Sequence, residues 1–452
     1  MRISNCILLT ILLNFVLIAN AQESNSKFKE WAKTPPMGWN SWDCFGSSVT
    51  EAEVRSNAEY MAKHLKKYGW QYIIVDIRWY LDNETANGYN QANPQFSIDK
   101  YGRYTPAVNR FPSAKDGKGF KALADFIHSK GLKFGLHIMR GVPKIAVQRK
   151  MKIEGTNYTA DQIYSTKDLC SWLNDNYTVD ADKPGAQAYY NSLYRLFASW
   201  GVDFVKCDDL SAPVYHEKEI ELIRHAIDNC GRAIVFSTSP GPTPVSEAEN
   251  VSQNANMWRM VNDLWDNWPA LSHLMMVAKK WYPYIATGTW PDCDMIPLGH
   301  ISLRGENGRS RMSSLSKDEQ NTLMTFFTIF RSPLFFGGNL PDNDAFTLSL
   351  LSNKDVLKMH NQSTNVRLIF QDKEKIAITS TNKKDGAIYL AIVNLKNVDQ
   401  DINVQLSDLG INKSAKIYDM WHHQQMGLFA SSFSKNLRPH ASGLYIIKRS
   451  KR

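Results

Sequence analysis

Acidic residues follow several short apolar runs of this sequence, and two of these runs also carry a basic residue. The acids are Asp76, Asp208-Asp209, Asp263 and Asp292-Cys293-Asp294, and the basic neighbours are Lys206 and Arg259. A carboxylate near a cation stays ionised at neutral pH, as a nucleophile must, whereas a carboxyl group in a less polar setting can stay protonated. Two such groups are the minimum for glycoside hydrolysis. One acid at a strand end is more commonly a helix cap, but four are harder to explain in that way.

The apolar runs belong to a repeating order of strands and helices. Thr50-x-x-Glu53 is a capping box that opens a helix, which ends at Gly69 before the first of these strands. The predicted strands are Tyr72–Val75, Lys133–Ile138, Asp203–Asp208, Ala233–Ser237, Met257–Arg259, Tyr284–Thr287 and Pro333–Phe336. About eight such units predict a (β/α)8 TIM barrel, which carries its active site at the C-terminal ends of the strands. A doubly wound sheet is the alternative, but no glycine-rich phosphate turn follows the first strand.

A different pattern begins near Val366, where short strands are separated by turn residues. The strand candidates are Ala377–Thr381, Ala387–Val393, Ile402–Leu406, Ala415–Tyr418 and Gly443–Ile447. They predict a C-terminal antiparallel β-sandwich of about 90 residues. We therefore expect the catalytic barrel to occupy residues 22–360 and the β-sandwich domain to occupy residues 361–452.

The first 21 residues are typical of a secretory signal peptide. Arg2 precedes an apolar run from Ile7 to Ile18, and Ala19-Asn20-Ala21 forms a small-x-small cleavage site before Gln22. The run is shorter than the roughly 20 residues that a membrane helix needs. We expect residues 1–21 to be removed and the mature protein to be exported, without a membrane span, to the periplasm or the cell exterior.

Composition narrows the range of partners. The 53 basic and 44 acidic residues give a net charge of +9, yet no block of Lys and Arg indicates a nucleic-acid partner. Aromatic residues make up 12% of the chain, which suits a sugar-binding cleft as well as a large core. Cleavage would leave five cysteines, and an odd number predicts at least one free thiol. They form no CxxC pair, so we expect no metal site, and the sequence carries no signal for an oligomeric state.

Five longer motifs occur in order over most of the mature chain. They are PPMGWNSW at 35–42, GLKFG at 131–135, GVDFVKCD at 201–208, WRMVND at 258–263 and DCDMIPLG at 292–299. Together they resemble the motifs of glycoside hydrolase family 27, the melibiase-like α-galactosidase family. The resemblance implies a barrel followed by a β-sandwich, a carbohydrate substrate, hydrolysis with retention of configuration, and neither a cofactor nor a metal.

The resemblance also assigns roles to the charged residues. Asp208 would be the nucleophile and Asp263 the general acid and base. Lys206 and Arg259 would bind sugar hydroxyls and help to keep Asp208 ionised. The aromatic segment Trp265–Trp268 could raise the pKa of Asp263 by desolvation. Alternation along the strand turns Asp209, beside Asp208, away from the pocket.

Five further residues are expected to bind the substrate. By the same resemblance, Trp42 would stack on the sugar, and Asp76 and Asp294 would accept hydrogen bonds from its hydroxyls. Arg78 and His137 are expected in the pocket because both lie at strand ends.

Two departures from the family pattern bear on the choice of sugar. Typical α-galactosidases have two adjacent acids that hold the galactose 4- and 6-hydroxyls, where this chain has Asp76 and Ile77. The segment 237–242, STSPGP, replaces the family's usual reader of the 2-position. The first hypothesis is an α-galactosidase. The alternatives are a relative that acts on α-glucosidic links and releases isomaltose, a β-L-arabinopyranosidase, or a non-catalytic sugar-binding protein.

Overall fold

Parallel strands form a closed barrel at the centre of the N-terminal domain of the computed structural model, which describes residues 27–450. The strands are β1 (Met37–Asn40), β2 (Tyr72–Val75), β3 (Lys133–Met139), β4 (Phe204–Asp208), β5 (Val235–Thr238), β6 (Met257–Arg259), β7 (Trp290–Asp292 and Met295–Ile296) and β8 (Leu334–Phe336). Each pairs in parallel with its neighbours, and β8 pairs with β1. Gly38 lets β1 approach β2, because a Cβ atom there would lie 2.5 Å from the Tyr72 carbonyl oxygen.

The seventh strand closes the barrel although it is broken at its centre. Trp290–Asp292 pairs with β6, and Met295–Ile296 pairs with β8. The prediction of a strand at Tyr284–Thr287 was wrong, because Tyr282–Tyr284 forms a 3₁₀ turn with Pro283 in its first turn. The predicted (β/α)8 architecture is confirmed, with this strand placed six residues later in the chain.

Helices follow the strands and cover the outside of the barrel. They are α1 (Glu51–His64), α2 (Lys121–Ser129), α3 (Ala186–Trp200), α4 (Glu217–Asp228), α5 (Ala248–Asn254), α6 (Trp268–Ala278), α7 (Lys317–Phe330) and α8 (Lys354–Gln362). Shorter helices lie at Trp42–Phe45, Lys144–Gln148 and Ala345–Ser352. The capping box predicted at Thr50 and Glu53 is present, and Gly201 ends α3 in the left-handed conformation. None of these helices is both long and apolar enough to span a bilayer.

Aromatic side chains fill the barrel below the ends of the strands. Tyr72, Phe204 and Phe335 pack with ring centroids 5.2 to 6.4 Å apart, and Ile74 and Met257 belong to the same buried cluster. This packing makes the barrel a solid core rather than a pore. A cavity opens above this packing, at the C-terminal ends of the strands.

The C-terminal domain is an antiparallel β-sandwich, as predicted. Its strands are β9 (Ser363–Gln371), β10 (Lys375–Asn382), β11 (Ile388–Asn394), β12 (Gln400–Gln405), β13 (Ala415–Asp419), β14 (Gln424–Phe429), β15 (Ser432–Leu437) and β16 (Ser442–Arg449). One sheet has the order β9-β10-β11-β16-β13-β14, and β12 pairs with β15 in the other. Helix α8 ends at Gln362, and β9 begins at the next residue.

The sandwich packs on the barrel through α7 and the start of α6. Thr322 of α7 donates to the carbonyl of His440, and the Trp421 indole N–H donates to the Thr325 hydroxyl at 2.8 Å. The His440 ring also stacks on Trp268, with centroids 3.9 Å apart. The residues that line the cavity described below come from the barrel and its loops, and none of them comes from the sandwich.

Two excursions between barrel elements shape the cavity mouth. The first, between β3 and α3, contains short strands at Val142–Pro143, Tyr164–Ser165 and Asn176–Val179 that pair with one another. The second, between β7 and α7, is a hairpin of His300–Ile301 and Arg311–Met312. Both extend from the ends of the strands that carry the charged residues.

Candidate active site

A cavity of about 540 Å³ opens at the C-terminal ends of the barrel strands. Residues from seven of the eight strands or the loops that follow them line it: Trp42, Asp76, Ile77, Tyr89, His137, Ser171, Trp172, Lys206, Asp208, Ala212, Pro213, Pro240, Gly241, Pro242, Asn262, Asp263, Met295 and Glu306. Six of the nine side chains predicted for the site line this cavity, and Arg78, Arg259 and Asp294 do not. We call Asp76, His137, Lys206 and Asp208 the floor of the cavity, because they stand at the ends of β2, β3 and β4.

Asp76 is fixed in the floor by two neutral or basic neighbours. Its carboxylate accepts a hydrogen bond from the Asn40 amide at 2.8 Å and lies 2.6 Å from Nδ1 of His137. Burial alone would raise its pKa, but His137 and Lys206 together lower it below the ordinary value for aspartate. Asp76 is therefore an ionised acceptor at neutral pH.

Asp208 stands at the last position of β4, with one carboxylate oxygen already held. The Ser239 hydroxyl donates to Oδ1 at 2.7 Å, and Nε2 of His137 lies 3.9 Å from Oδ2. That Nε2 atom is buried and has no hydrogen-bond partner among residues 27–450. Ser239 comes from the segment 237–242, which the sequence linked to reading of the sugar and which here also orients the candidate nucleophile.

Lys206 lies two residues before Asp208 and on the same side of β4. Burial acts to lower its pKa, but the carboxylates of Asp76 and Asp208 raise that pKa above the ordinary lysine value. The ammonium group is thus a fixed positive charge in the cavity. A cation here stabilises the ionised state of Asp76.

Arg259 and Asp294 form an ion pair behind Asp263 instead of lining the cavity. The guanidinium is 2.7 Å from Asp294 and 3.0 Å from Asp263. Asp294 also accepts from the backbone N–H of Leu264 at 2.7 Å, which consumes its second oxygen. Both side chains are buried and support the loop of Asp263, and their predicted contacts with sugar hydroxyls stay a prediction.

Asp263 projects from this support into the cavity, and half of its side chain is exposed. Burial of the carboxyl acts to raise its pKa, but Arg259 and Lys206 outweigh that effect and lower it. The expectation that Trp265–Trp268 would leave a raised pKa was therefore wrong. A neighbouring guanidinium is a stronger influence than partial desolvation at a half-exposed carboxylate.

The prediction that Arg78 binds substrate is corrected by its surroundings. Its guanidinium donates two hydrogen bonds to Asp175, at 3.0 and 2.9 Å, and a third to Glu84 at 2.9 Å. The side chain is fully buried, and Arg78 has a positive φ of 62°, which turns it away from the direction of β2. Arg78 instead ties the loop after β2 to the excursion after β3.

Asp209 lies outside the cavity and within a buried charge network, but alternation is not the reason, because β4 ends at Asp208 and Asp209 has a positive φ of 62°. Its carboxylate is 2.9 Å from Arg140, which also lies 3.2 Å from Glu219. Burial raises the pKa of Asp209 to about 7, although Arg140 opposes that rise. Arg140 donates to the carbonyls of Asp209 and Asp168, so it joins the strand of the candidate nucleophile to the loop that carries Trp172.

Three side chains on loops complete the mouth of the cavity, and we call Tyr89, Trp172 and Glu306 the rim. The Tyr89 ring packs 5.8 Å from the ring of Trp42, and the Trp42 side chain lies close enough to Glu306 to oppose the rise in its pKa. Sequence reasoning named none of the three. Tyr89 and Glu306 follow no strand directly, so strand-end reasoning could not find them.

The described part of the chain offers no set of three His, Cys, Asp or Glu side chains that could hold a metal ion. All five cysteines within residues 27–450 are free thiols. Cys207, between Lys206 and Asp208, is buried on the opposite side of β4. The chemistry available in the cavity is therefore that of carboxylates, a lysine and a histidine.

Comparison with known proteins extends these observations. A family model described as α-galactosidase A matches residues 154–363, and one described as the α-galactosidase C-terminal β-sandwich domain matches residues 373–447. A solved family 27 β-L-arabinopyranosidase from Geobacillus stearothermophilus is 48% identical, covers 94% of this chain and 98% of its own, and superposes with a TM-score of 0.92. Among curated proteins, α-galactosidase 2 of Arabidopsis thaliana is 25% identical, over 93% of this chain and 91% of its own. The α-galactosidase of Cyamopsis tetragonoloba is 26% identical, over 92% and 86%.

Proposed function

Because this chain belongs to glycoside hydrolase family 27, the α-galactosidase family, we propose that it is a retaining glycosidase that removes terminal α-D-galactosyl groups. The observation that carries the proposal is that two carboxyl groups, those of Asp208 and Asp263, line one cavity together with the positively charged Lys206. Two carboxyl groups that face one sugar are sufficient for a double displacement. The substrate is a carbohydrate, and its terminal sugar would enter the cavity.

In the first step, Asp208 attacks the anomeric carbon while Asp263 protonates the departing oxygen. The Ser239 hydroxyl fixes one oxygen of Asp208, and the positive charge of Lys206 lies in the same cavity. Formation of the glycosyl ester removes the negative charge of Asp208 from the cavity. Asp263, whose pKa is already lowered by Arg259, is then suited to act as the base.

In the second step, Asp263 takes a proton from water, and the resulting hydroxide attacks the anomeric carbon. The ester bond to Asp208 breaks, and the carboxylate returns to its contacts with Ser239 and Lys206. Both displacements invert the anomeric carbon, so the released sugar keeps the configuration of the substrate.

Recognition of the sugar would depend on acceptors and donors of the floor. Asp76, ionised and already bonded by Asn40, His137 and the Ile77 N–H, keeps acceptor capacity for a sugar hydroxyl. Lys206 can donate to the same part of the sugar. Trp42, whose side chain lines the cavity, supplies an apolar face of the kind on which a pyranose ring packs.

A β-L-arabinopyranosyl group is the second candidate, and Ile77 favours it. β-L-Arabinopyranose has the ring stereochemistry of α-D-galactopyranose and lacks the 6-hydroxymethyl group. Ile77 lines the cavity where typical relatives have an acid, so it offers an apolar contact instead of a hydrogen bond to a 6-hydroxyl. The relative that is 48% identical is named as a β-L-arabinopyranosidase, which agrees with this choice.

The test compares kcat/KM for aryl α-D-galactopyranoside, β-L-arabinopyranoside and α-D-glucopyranoside, with Asp208→Asn as the control. Release from either of the first two, lost in the variant, supports the proposal and ranks the two sugars. Release from the α-glucoside alone would replace it with the α-glucosidic alternative. Binding of galactose without turnover of any substrate would favour a sugar-binding protein.

We also propose that the enzyme acts after export, in the periplasm or outside the cell. The proposal depends on residues 1–21, which lie outside the described residues. N-terminal sequencing of the protein recovered from a fractionated host should give Gln22 as the first residue. Recovery from the cytoplasm with an intact Met1 would contradict export.

A further inference from the structure

A fourth carboxyl group in the cavity, that of Glu306, has no role in the chemistry above. Glu306 lines the same cavity as Asp208 and Asp263 but comes from the hairpin between β7 and α7. Burial together with the charges of Asp263 and Asp76 raises the pKa of Glu306 above its ordinary value. Its carboxyl group thus faces the cavity that contains both acids.

The hairpin holds Glu306 firmly on one side. Arg304 makes two contacts of 2.7 Å with the carboxylate of Glu53 in α1 and a third, at 3.0 Å, with the Ser48 hydroxyl. Gly305 packs so closely on the loop after β1 that a Cβ atom would lie 3.0 Å from the Asp43 carbonyl oxygen. The residue immediately before Glu306 is therefore pressed against the segment that carries Trp42.

The far side of the hairpin is held by a second arginine. Arg311 binds the carboxylate of Asp266, which follows Asp263 by three residues. The loop after β2 is also attached, because the Asn87 N–H donates to the Arg304 carbonyl at 3.0 Å. A loop anchored at three places can present one side chain in a defined position.

The position of the reacting groups fixes how a sugar lies relative to Glu306. The anomeric carbon must contact Asp208 and Asp263, at the ends of β4 and β6. The opposite edge of a pyranose ring, with carbon 4 and the substituent on carbon 5, then points to the ends of β1 and β2. That part of the cavity is lined by Trp42, Asp76 and Ile77 together with Glu306.

Asp76 and Glu306 would contact different parts of this far edge of the sugar. Asp76 is held low in the floor by Asn40 and His137, where it can serve the ring hydroxyls. Glu306 lines the same cavity from the hairpin loop, and the side chains of Trp42 and Tyr89 are close enough to interact with its carboxyl group. Ile77 is apolar, so a hydroxyl on the carbon 5 substituent has Glu306 as its available carboxyl partner at this edge.

We propose that Glu306 is a further substrate-binding residue, which holds the 6-hydroxyl of a galactosyl group and so allows α-galactosides to be used despite Ile77. The inference rests on the proposed function for the identity of the sugar. It assigns galactose binding to a residue on a loop rather than to the end of β2. β-L-Arabinopyranosides, which lack this hydroxyl, gain nothing from Glu306.

The test uses two aryl glycosides, α-D-galactopyranoside and β-L-arabinopyranoside, that differ by one hydroxymethyl group. In Glu306→Ala we expect the ratio of kcat/KM, galactoside over arabinopyranoside, to fall by about tenfold or more. Glu306→Gln, which keeps a hydrogen-bonding group, should lose less. Asn307→Ala, in the same hairpin but outside the cavity lining, should leave the ratio unchanged.

Two outcomes would overturn the proposal. An equal loss with both glycosides would mean that Glu306 acts only by positioning Trp42, and a rise in the ratio would mean that it excludes the hydroxymethyl group. Calorimetric binding of D-galactose and L-arabinose to Asp208→Asn protein, with and without Glu306→Ala, keeps this test separate from turnover. Glu306-dependent binding of galactose, together with no turnover of any aryl glycoside by the wild-type protein, would remove the proposed function and leave the role of Glu306. Binding of galactose that does not depend on Glu306 would remove that role.

Discussion

The floor and the rim of the cavity are built in different ways. Each floor residue stands at a strand end and is buried among groups of opposite or complementary charge, as Asp76 is between Asn40 and His137. The rim residues Tyr89 and Glu306 come from loops and are held by anchors that lie several residues away. The floor is therefore part of the barrel framework, whereas the rim depends on how loops fold over it.

From this difference we infer that the floor carries out the chemistry and that the rim selects the substrate. The floor contains the ionised acceptor and the candidate nucleophile, whose states depend on short contacts within the barrel. The rim and Ile77 contact the part of the sugar that distinguishes one pyranose from another. Changes in the floor should remove activity with every substrate, and changes in the rim should alter the ratio between substrates.

Asp208→Asn tests the floor most severely. The amide cannot form the glycosyl ester, so kcat should fall on the order of 10⁴-fold or more with every aryl glycoside tried. Ser239→Ala, which removes only the 2.7 Å hydrogen bond to Asp208, should cost far less. Steady-state hydrolysis measures both. Activity of Asp208→Asn near that of the wild type would contradict the assignment of the nucleophile.

Asp263→Asn should show an effect that depends on the leaving group. Loss of the general acid should lower kcat/KM by about 10² to 10⁴-fold for an alkyl glycoside, which needs protonation, and much less for a dinitrophenyl glycoside. Because Arg259 and Lys206 lower the pKa of Asp263 and only the protonated form is an acid, the wild-type rate should already decline with rising pH in the acid range. A pH profile of Asp263→Asn that keeps this basic limb would assign the limb to another group.

Arg78→Met should change stability more than binding. The substitution leaves the buried carboxylates of Asp175 and Glu84 without their partner, which costs about 3–5 kcal/mol in the free energy of unfolding. Urea titration measures this loss, and KM for the preferred glycoside should change little in the protein that remains folded. A large rise in KM with unchanged stability would return Arg78 to the sugar-binding residues.

Arg78 also shows where prediction from the sequence ends. Strand-end position placed Asp76, His137, Lys206 and Asp208 in one cavity, because parallel strands bring their C-terminal ends together regardless of distance along the chain. Arg78 comes two residues after Asp76, and its positive φ removes it from that rule. Its partner Asp175 lies 97 residues away, in an excursion whose fold no local pattern indicates.

The barrel was predictable from the repeating order of strands and helices, and the sandwich from short strands separated by turn residues. Some individual elements were not predictable. β7 is short and interrupted, so its two halves carry little pattern, and the nearby run Tyr284–Thr287 resembled a strand more closely. Glu306 was beyond prediction for a related reason. Its place in the cavity depends on ion pairs of Arg304 and Arg311 with residues of other elements.

Ile77→Asp should change the preference of the enzyme between the galactoside and the arabinopyranoside. A carboxylate beside Asp76 would offer a second partner to the galactose 6-hydroxyl, so the ratio of kcat/KM, galactoside over arabinopyranoside, should rise about 10- to 100-fold. Ile77→Val, which stays apolar, is the matched control and should leave the ratio near its starting value. An unchanged ratio in Ile77→Asp would show that this position does not contact the substituent on carbon 5.

Asp209→Asn should have the smallest effect, and it concerns stability rather than catalysis. The pKa of Asp209 is about 7 in the folded chain and about 3.9 when unfolded, so the folded state holds an extra proton between these values. Stability therefore falls as pH rises through this window, and the variant should reduce that slope by up to about 1.4 kcal/mol per pH unit.

Urea titrations from pH 4.5 to pH 7 measure the slope, and Asp292 supplies the comparison. Its pKa is also raised to about 7, by burial that outweighs Arg259, so Asp292→Asn should flatten the same window. The two residues differ in their contact with arginine, because the carboxylate of Asp209 lies 2.9 Å from Arg140. If only Asp292→Asn flattens the slope, the Arg140 contact keeps Asp209 ionised at every pH tested, and the charge network beside the nucleophile is a permanent ion pair.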